Sequence, residues 1–312
     1  MPTPPPGNVQ LSILIVNWNT RDLLARCLAS IYAHPPSPAF EVIVVDNAST
    51  DGSPAMVRER FPQVRLIENG ENVGFARANN QAIRESRGAY LLLLNSDTLV
   101  LPAAFDRLLA FMEAHPRAGM VGPRVLNPDG SLQPSCTPFP TLAREAWRMF
   151  HGDRIRPWAV YAMTAWDVET PREVDVLMGA ALLVRRQVID EVGLLDEAFF
   201  MYSEEVDWCL RAKKAGWEVW WEPRAQIIHY GGQSSKQASE KMFLHLYRSK
   251  VLFFRKHYGP LQTTLYKGIL ALASLPRLLL APLATLQSPP QKAQSRHLAA
   301  RYRHLLTEVW GY

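Results

Sequence analysis

Leu91-Leu92-Leu93-Leu94-Asn95-Ser96-Asp97-Thr98 is the stretch on which the reading of this chain turns. Four leucines in succession are what a strand buried on both faces looks like, and such strands belong to parallel sheets covered by helices. The run stops on a cluster of oxygen-bearing side chains. In an open α/β sheet, ligands gather beyond the carboxyl ends of the strands, and a carboxylate there can hold a hard divalent cation against a phosphate. Asp97 therefore stands where a nucleotide-handling enzyme needs an acid. Read alone, the same residues serve equally well as a turn or a helix N-cap.

The flanking sequence repeats the theme. Strands are expected at Gln10–Asn17, Glu41–Asp46, Val64–Glu68 and Tyr90–Leu94, with helices at Arg21–Ala33, Gly74–Ser86 and Pro102–Ala114. A further helix opens at Asp51-Gly52-Ser53-Pro54, with Ser53 as N-cap and Pro54 at the first helical position. This alternation predicts an α/β fold with a mostly parallel sheet and helices on both faces. After Gly119 the pattern loosens. Val174–Val184 reads as a strand crossing back into the sheet, Ser203–Ala215 as a helix and Trp217–Trp221 as a short strand, whereas 144–170 shows no clear period.

A hydrophobic content of 48% and a charged content of 20% are those of a folded globular protein. Cys27, Cys136 and Cys209 form neither a metal-ligand spacing nor a disulfide framework, which favours a reducing, cytoplasmic setting. Residues 1–9 read as a disordered tail without the character of a secretory signal. The net charge of +5 conceals an asymmetry: residues 241–312 hold eleven Lys or Arg and one acid, Glu308, while the rest of the chain is net acidic. That predicts a catalytic body over 10–235 and a basic, apolar helical region over 236–312. Leu261–Leu286 is apolar but is interrupted by Lys267, Pro276, Arg277 and Pro282. Its composition suits an interfacial or re-entrant membrane segment better than a simple span; a helix pair packed on the body is the alternative.

Four strand ends carry polar side chains in order: Val16-Asn17-Trp18-Asn19-Thr20, Val45-Asp46-Asn47-Ala48-Ser49-Thr50-Asp51, Asn72-Val73-Gly74-Phe75-Ala76-Arg77-Ala78-Asn79-Asn80 and Asn95-Ser96-Asp97. Parallel strand ends converge on one edge, so together they predict a shared polar crevice. These motifs, in this order, resemble glycosyltransferase family 2, the inverting nucleotide-sugar transferases of the GT-A fold, and most of all its rhamnosyltransferase-like branch. The likeness covers about residues 10–232.

The resemblance implies roles. Asp46 would accept a hydrogen bond from uracil or thymine, and Asn17, Asn19, Asn72, Arg77 and Asn95 would join it in holding the donor. Asp97 would bind a divalent metal, Mg²⁺ or Mn²⁺, on the donor pyrophosphate. The family pattern there is Asp-x-Asp; this chain has Asn95 in the first position. In Ser203-Glu204-Glu205-Val206-Asp207-Trp208 the second acid of the pair, Glu205, would be the general base, with Glu204 the other candidate. An acceptor hydroxyl needs such a base because it is a poor nucleophile until its proton is taken. Gly179, Ala180 and Trp208 would meet the acceptor, and His229 would complete the metal site. The resemblance thus implies an inverting transfer of a sugar, rhamnose being favoured, from a dTDP- or UDP-sugar to a glycan or polyprenyl-linked hydroxyl. The setting would be cell-surface polysaccharide synthesis at the inner face of the membrane.

Each of these residues also has a plainer reading. Ser203 suits an N-cap and Glu204 and Glu205 a first helical turn. Asp207 and Arg211 suit an i, i+4 pair, and His229 suits a buried histidine at a strand end. Other activities fit less well. A glycoside hydrolase needs two carboxyls flanking one bond, and adjacent glutamates on a helix diverge by about 100°. A dinucleotide-dependent dehydrogenase needs a Gly-x-Gly-x-x-Gly after the first strand, and none is present. A non-enzymatic nucleic-acid- or membrane-binding protein led by the basic tail is the remaining alternative. Nucleic acid is disfavoured because that tail is apolar as well as basic.

Overall fold

The structure is a computed structural model describing residues 9–233, 237–279 and 289–311. The expected tail at 1–9 lies almost wholly outside these residues, as do 234–236 and the stretch 280–286 of the expected membrane segment. The chain divides into two compact units. One contains the chain to Phe139, Ala162–Phe200 and Glu204–Gln237; the other contains Pro140–Tyr161, Met201–Ser203 and Ala238–Tyr312.

The first unit is built on a nine-stranded sheet. Its strands are β1 (Leu11–Asn17), β2 (Phe40–Asp46), β3 (Arg65–Glu68), β4 (Tyr90–Asn95), β5 (Thr98–Val100), β6 (Ala118–Leu126), β8 (Arg172–Glu173), β10 (Ala181–Arg185) and β11 (Glu218–His229). Two further short strands, β7 (Cys136–Thr137) and β9 (Val176–Leu177), pair with each other. The order is β3-β2-β1-β4-β10-β6-β11-β5, with β8 on β11. Parallel register places Asn17 beside Asp46 and Val16 beside Asn95, so the polar strand ends do share one edge. Helices α1 (Arg21–Ala33), α2 (Ser53–Arg60) and α4 (Ala104–Ala114) bury Leu24, Leu28, Met56, Phe105 and Leu108 in one core with Ile13 and Ile15. Alternate strand residues, among them the fully buried Leu14 and Ile43, point to the opposite face. There α3 (Phe75–Glu85) packs against β1 and β2, and α6 (Arg186–Val192) follows β10.

The sheet is mixed rather than mostly parallel. β1, β2, β3 and β4 run parallel, but β10 pairs antiparallel with both β4 and β6. A strand buried on both faces reads as an apolar run whichever way it points, so composition could not give its direction. The expected strand Val174–Val184 is also split into β9 and β10 at Met178–Ala180. β11 extends far beyond the expected Trp217–Trp221. A register shift between Glu222 and Gln226 hides its continuity, and there Arg224 folds back onto buried Glu222 at 2.7 Å. At α2 the cap is Gly52, with φ 84°, and Ser53 is already helical. Asp51 takes both the Ser53 amide and its hydroxyl, which moves the cap one residue earlier than expected.

The second unit is helical: α5 (Leu142–Met149), α8 (Ser239–Leu279) and α9 (Pro289–Glu308). α8 is two helices joined at Gly259, where φ of 83° breaks the helix and Pro260 starts the next one. Phe254 and Tyr266 stack across this break with ring centroids 4.6 Å apart, in a core that includes Val251, Leu270 and Leu305. Buried Glu145 on α5 receives Lys250 of α8 at 2.8 Å and also pairs with Arg148. Among the described residues no helix is long and apolar enough to cross a membrane. The three cysteines are free and buried, and burial pushes each thiol up to about 12.

Candidate active site

The ends of β1 and β2 are tied together before any ligand is considered. Asn17 donates to Asp46 Oδ1 at 2.9 Å and to Ser49 Oγ at 3.1 Å, and its own Oδ1 accepts from Thr20 at 2.7 Å. Asn17 is fully buried and spends both amide protons within the chain, bracing Asp46 and Ser49. Asp46 Oδ2 accepts the Ser49 amide at 2.8 Å. Each carboxylate oxygen keeps a lone pair for another N–H, which is what recognition of a pyrimidine base needs. Asn19 lies in left-handed backbone at φ 51° and accepts the Thr50 amide at 2.7 Å. It lines a cleft of about 360 Å³ with Thr20, Arg21, Asp51, Gln233 and Gln237.

The ends of β4 and β11 make a second corner. His229 Nε2 lies 3.2 Å from Asp97 Oδ1 and 3.3 Å from Asn95 Nδ2. Its Nδ1 meets Gln133 Oε1 at 2.6 Å. Gln133 uses its amide nitrogen on Asn127 Oδ1 and on the His229 carbonyl, so its oxygen must face the ring. Nδ1 therefore carries a proton, and Nε2 is the nitrogen that faces the Asp97 carboxylate. An imidazole nitrogen and a carboxylate brought together in this way, with an amide beside them, are groups that ligate a divalent cation. Among the described residues no three His, Cys, Asp or Glu side chains gather as a metal site, so further ligands would have to come from the substrate. Sequence reading missed Gln133, which lies in a loop with no motif to mark it.

The third motif works differently from expectation. Asn72 Oδ1 accepts the Gly74 amide at 3.0 Å, and the largely exposed Arg77 faces Glu197 at 3.9 Å. Asn80 donates to Leu195 O and Glu197 Oε1, both at 2.9 Å, and Phe75 N donates to Phe200 O at 2.7 Å. A Cβ on Gly74, whose φ is 87°, would sit 2.6 Å from that Phe200 carbonyl. Asn80, Phe75 and Gly74 thus hold the 195–200 segment that leads to the acidic pair.

That pair opens α7 (Glu204–Lys214), preceded by Tyr202 and Ser203 at φ 70° and 65°. Such backbone is uncommon outside glycine and is retained where it places a functional group. Glu204 is buried and Glu205 is half-buried, and the Oε2 atoms of both are buried without a hydrogen-bond partner. Burial, and then the neighbouring Glu205 charge, hold Glu204 well above the usual carboxylate range. Burial also raises Glu205, opposed by helix N-terminal amides and by a hydrogen bond from Glu204. Two adjoining carboxyls raised by burial favour a pair that shares one proton. Asp207 is fully buried against Arg211 at 2.8 Å, a structural ion pair. Trp208, expected to meet the acceptor, is also fully buried, and its indole N–H is spent on the Gly193 carbonyl at 2.9 Å. Its apolar face belongs to the core.

α7 packs on β9, and the next residues reach the Asp97 corner: Ala180 O accepts the Asn95 amide at 3.0 Å. A Cβ on Gly179 would meet only Phe75, at 3.8 Å, so nothing in the chain itself demands glycine there.

The family model for glycosyl transferase family 2 matches residues 12–193. The chain belongs to glycosyl transferase family 2. It is 33% identical over 282 residues to the N-acetylglucosaminyl-diphospho-decaprenol L-rhamnosyltransferase of Mycobacterium tuberculosis, covering 85% of this chain and 91% of that protein. It is 25% identical to the dTDP-rhamnosyl transferase of Shigella flexneri, over 74% of this chain and 76% of that one. A mannosyltransferase from Pyrobaculum calidifontis, solved with GDP-Man and Mn²⁺, superposes with a TM-score of 0.56 at 18% identity, over 98% of this chain and 89% of that one. This family 2 chain is therefore a glycosyltransferase with a GT-A-like fold and an added helical region. The nucleic-acid-binding alternative finds no support in these likenesses.

Proposed function

We propose that this glycosyltransferase moves a sugar, rhamnose being favoured, from the dTDP- or UDP-sugar that carries it onto a hydroxyl of a polyprenyl-linked or glycan acceptor, with inversion at the anomeric carbon. The names of the Mycobacterium and Shigella relatives support the sugar and the lipid carrier. Asp46, braced by Asn17, is suited to the pyrimidine base. Asp97 and His229 would hold a divalent cation, Mg²⁺ or Mn²⁺, which would neutralise charge on the departing nucleoside diphosphate. Glu205 accepts the proton of the acceptor hydroxyl as its oxygen attacks C1. One C–O bond forms as the bond to diphosphate breaks, on opposite faces of the sugar. The basic, apolar C-terminal helices would bring the enzyme to the inner face of the cell membrane, where such an acceptor lies.

The observation that carries this reading is the 3.2 Å approach of His229 Nε2 to Asp97 Oδ1 at the end of β4, with the His proton fixed on the far side by Gln133. The test is release of dTDP or UDP from a panel of nucleotide sugars with a polyprenyl-diphosphate-linked N-acetylglucosamine acceptor. Turnover with dTDP-rhamnose and divalent metal is expected. Turnover confined to another sugar would overturn the rhamnosyl assignment, and undiminished turnover in chelator would overturn the metal.

A further inference from the structure

The C-terminal half of α8 carries a second pattern, separate from the transfer site. From Leu261 to Leu279 its exposed apolar residues are Leu261, Leu265, Leu272, Leu275 and Leu279. At about 100° per residue these five fall within roughly 40° of one line along the helix. They are not grazing positions: exposure runs from 44% at Leu275 to 72% at Leu261. The opposite side of the same helix is buried, through Thr263, Tyr266, Leu270 and Ala273. Thus the helix has already satisfied one face in the core of its unit and presents a second, continuous leucine face about 27 Å long. Contiguous exposed apolar surface of this kind marks an interaction site.

The charge around the stripe selects its occupant. Exposed Arg255 and Lys256 immediately precede the Gly259 break at one end, and no Asp or Glu occurs anywhere from Lys241 to Thr307. A second copy of this chain would set leucine on leucine but cation against cation. A bilayer with anionic headgroups satisfies both: acyl chains accept the leucines and headgroups accept the cations. We infer that the Leu261–Leu279 face lies in the plane of an anionic lipid surface as an interfacial helix, docking the enzyme without spanning the bilayer. This deepens the lipid-linked acceptor reading on which it rests, because it names the residues that bring the enzyme to such a substrate.

The test uses the full chain and sedimentation with vesicles of phosphatidylcholine alone or mixed with phosphatidylglycerol. The parent should pellet with the mixed vesicles, and added salt should weaken this. Leu265→Gln combined with Leu272→Gln should lose binding by about tenfold or more, while Arg255→Gln with Lys256→Gln should lose only the preference for anionic vesicles. Both pairs are exposed and lie outside the transfer site, so nucleoside diphosphate release with a water-soluble acceptor should remain at the parent level. Vesicle binding by the leucine variant equal to the parent would overturn the inference. So would a parent dimer, seen by light scattering, that this variant dissociates without change in vesicle binding. Failure of donor turnover in the parent would count against the proposed reaction and leave the vesicle result standing.

Discussion

His229 Nε2 sits 3.2 Å from Asp97 Oδ1, joining residues more than a hundred positions apart in the chain. β5 makes this possible by leaving Asp97 and pairing with the end of β11, so that Thr98 lies beside His229. Replacing Asp97 with Ala removes the charged member of this corner. Donor binding with Mn²⁺ present should fall by roughly 10²-fold, given the several kcal/mol a metal contributes at such charge. Calorimetric titration of dTDP with and without metal checks this; equal affinity in both would remove Asp97 from the metal.

Gln133 fixes the proton on the far nitrogen of that ring. In Gln133→Ala the ring can protonate on either nitrogen and turn away from Asp97. Metal requirement should rise by about 10–100-fold, as when an outer partner of a metal-binding histidine is removed. Activity should return at saturating metal. An unchanged metal titration would mean that the ring is oriented by something else.

Glu205→Gln should lower transfer by about 10²–10⁴-fold, the usual contribution of a general base, with donor affinity kept. In the parent, burial raises Glu205, so the base is lost as pH falls through a value above the ordinary glutamate pKa of about 4.3. The acid limb of kcat/KM should therefore lie at higher pH than an exposed glutamate would give. A limb at the exposed-glutamate position would show that another group is the base.

Glu204 is held protonated by burial and by its charged neighbour. The folded state then binds a proton that the unfolded chain releases, so stability falls as pH rises from the unfolded value through the raised folded one. Glu204→Gln keeps the shape without that penalty. Its melting temperature should exceed the parent's by a few degrees at neutral pH, and the difference should vanish near pH 4. Melts across pH measure it; a difference independent of pH would contradict the protonated state.

Glu145 presents the reverse case. Burial alone would push it up, but the charges of Lys250 and Arg148 outweigh this and hold it below the ordinary range. Its contribution is present above the unfolded pKa and is lost as pH falls through the depressed folded value. Glu145→Gln should cost on the order of 3 kcal/mol, the lower end for a broken buried pair, because the Arg148 guanidinium is partly solvated. Denaturant unfolding at pH 7 tests it; a loss well below 1 kcal/mol would mean that the two cations find other partners.

The first half of the fold was open to reading because its signals are local. The leucines of β4 and the β-branched run of β2 declare buried strands, and Asp46 and Asp97 follow as their polar ends. Register then brings Asn17 to Asp46 without further information. What stayed hidden depends on contacts between distant segments. The direction of β10 is absent from its apolar composition, and Gln133 has no pattern around it. Trp208 sits in an acidic motif yet turns its ring into the core, a choice made by the Gly193 carbonyl fifteen residues away. Asn72 and Arg77 sit in a motif typical of donor sites, yet Asn72 takes the nearby Gly74 amide and Arg77 faces Glu197 far along the chain.

The reversal of β10 beside β4 has a consequence for how such an enzyme can change. Apart from His229 and its partner Gln133, the groups proposed for the nucleotide arrive on the chain up to Asp97, whereas those proposed for the acceptor lie between Met178 and Glu205, around a strand that runs against β4. These two stretches meet along the β4–β10 pairing and at the Asn95-to-Ala180 hydrogen bond. On the proposed assignment, mutations in the later stretch would redirect the sugar to a new hydroxyl while the earlier stretch kept its donor, so that new linkages could evolve without rebuilding the nucleotide pocket.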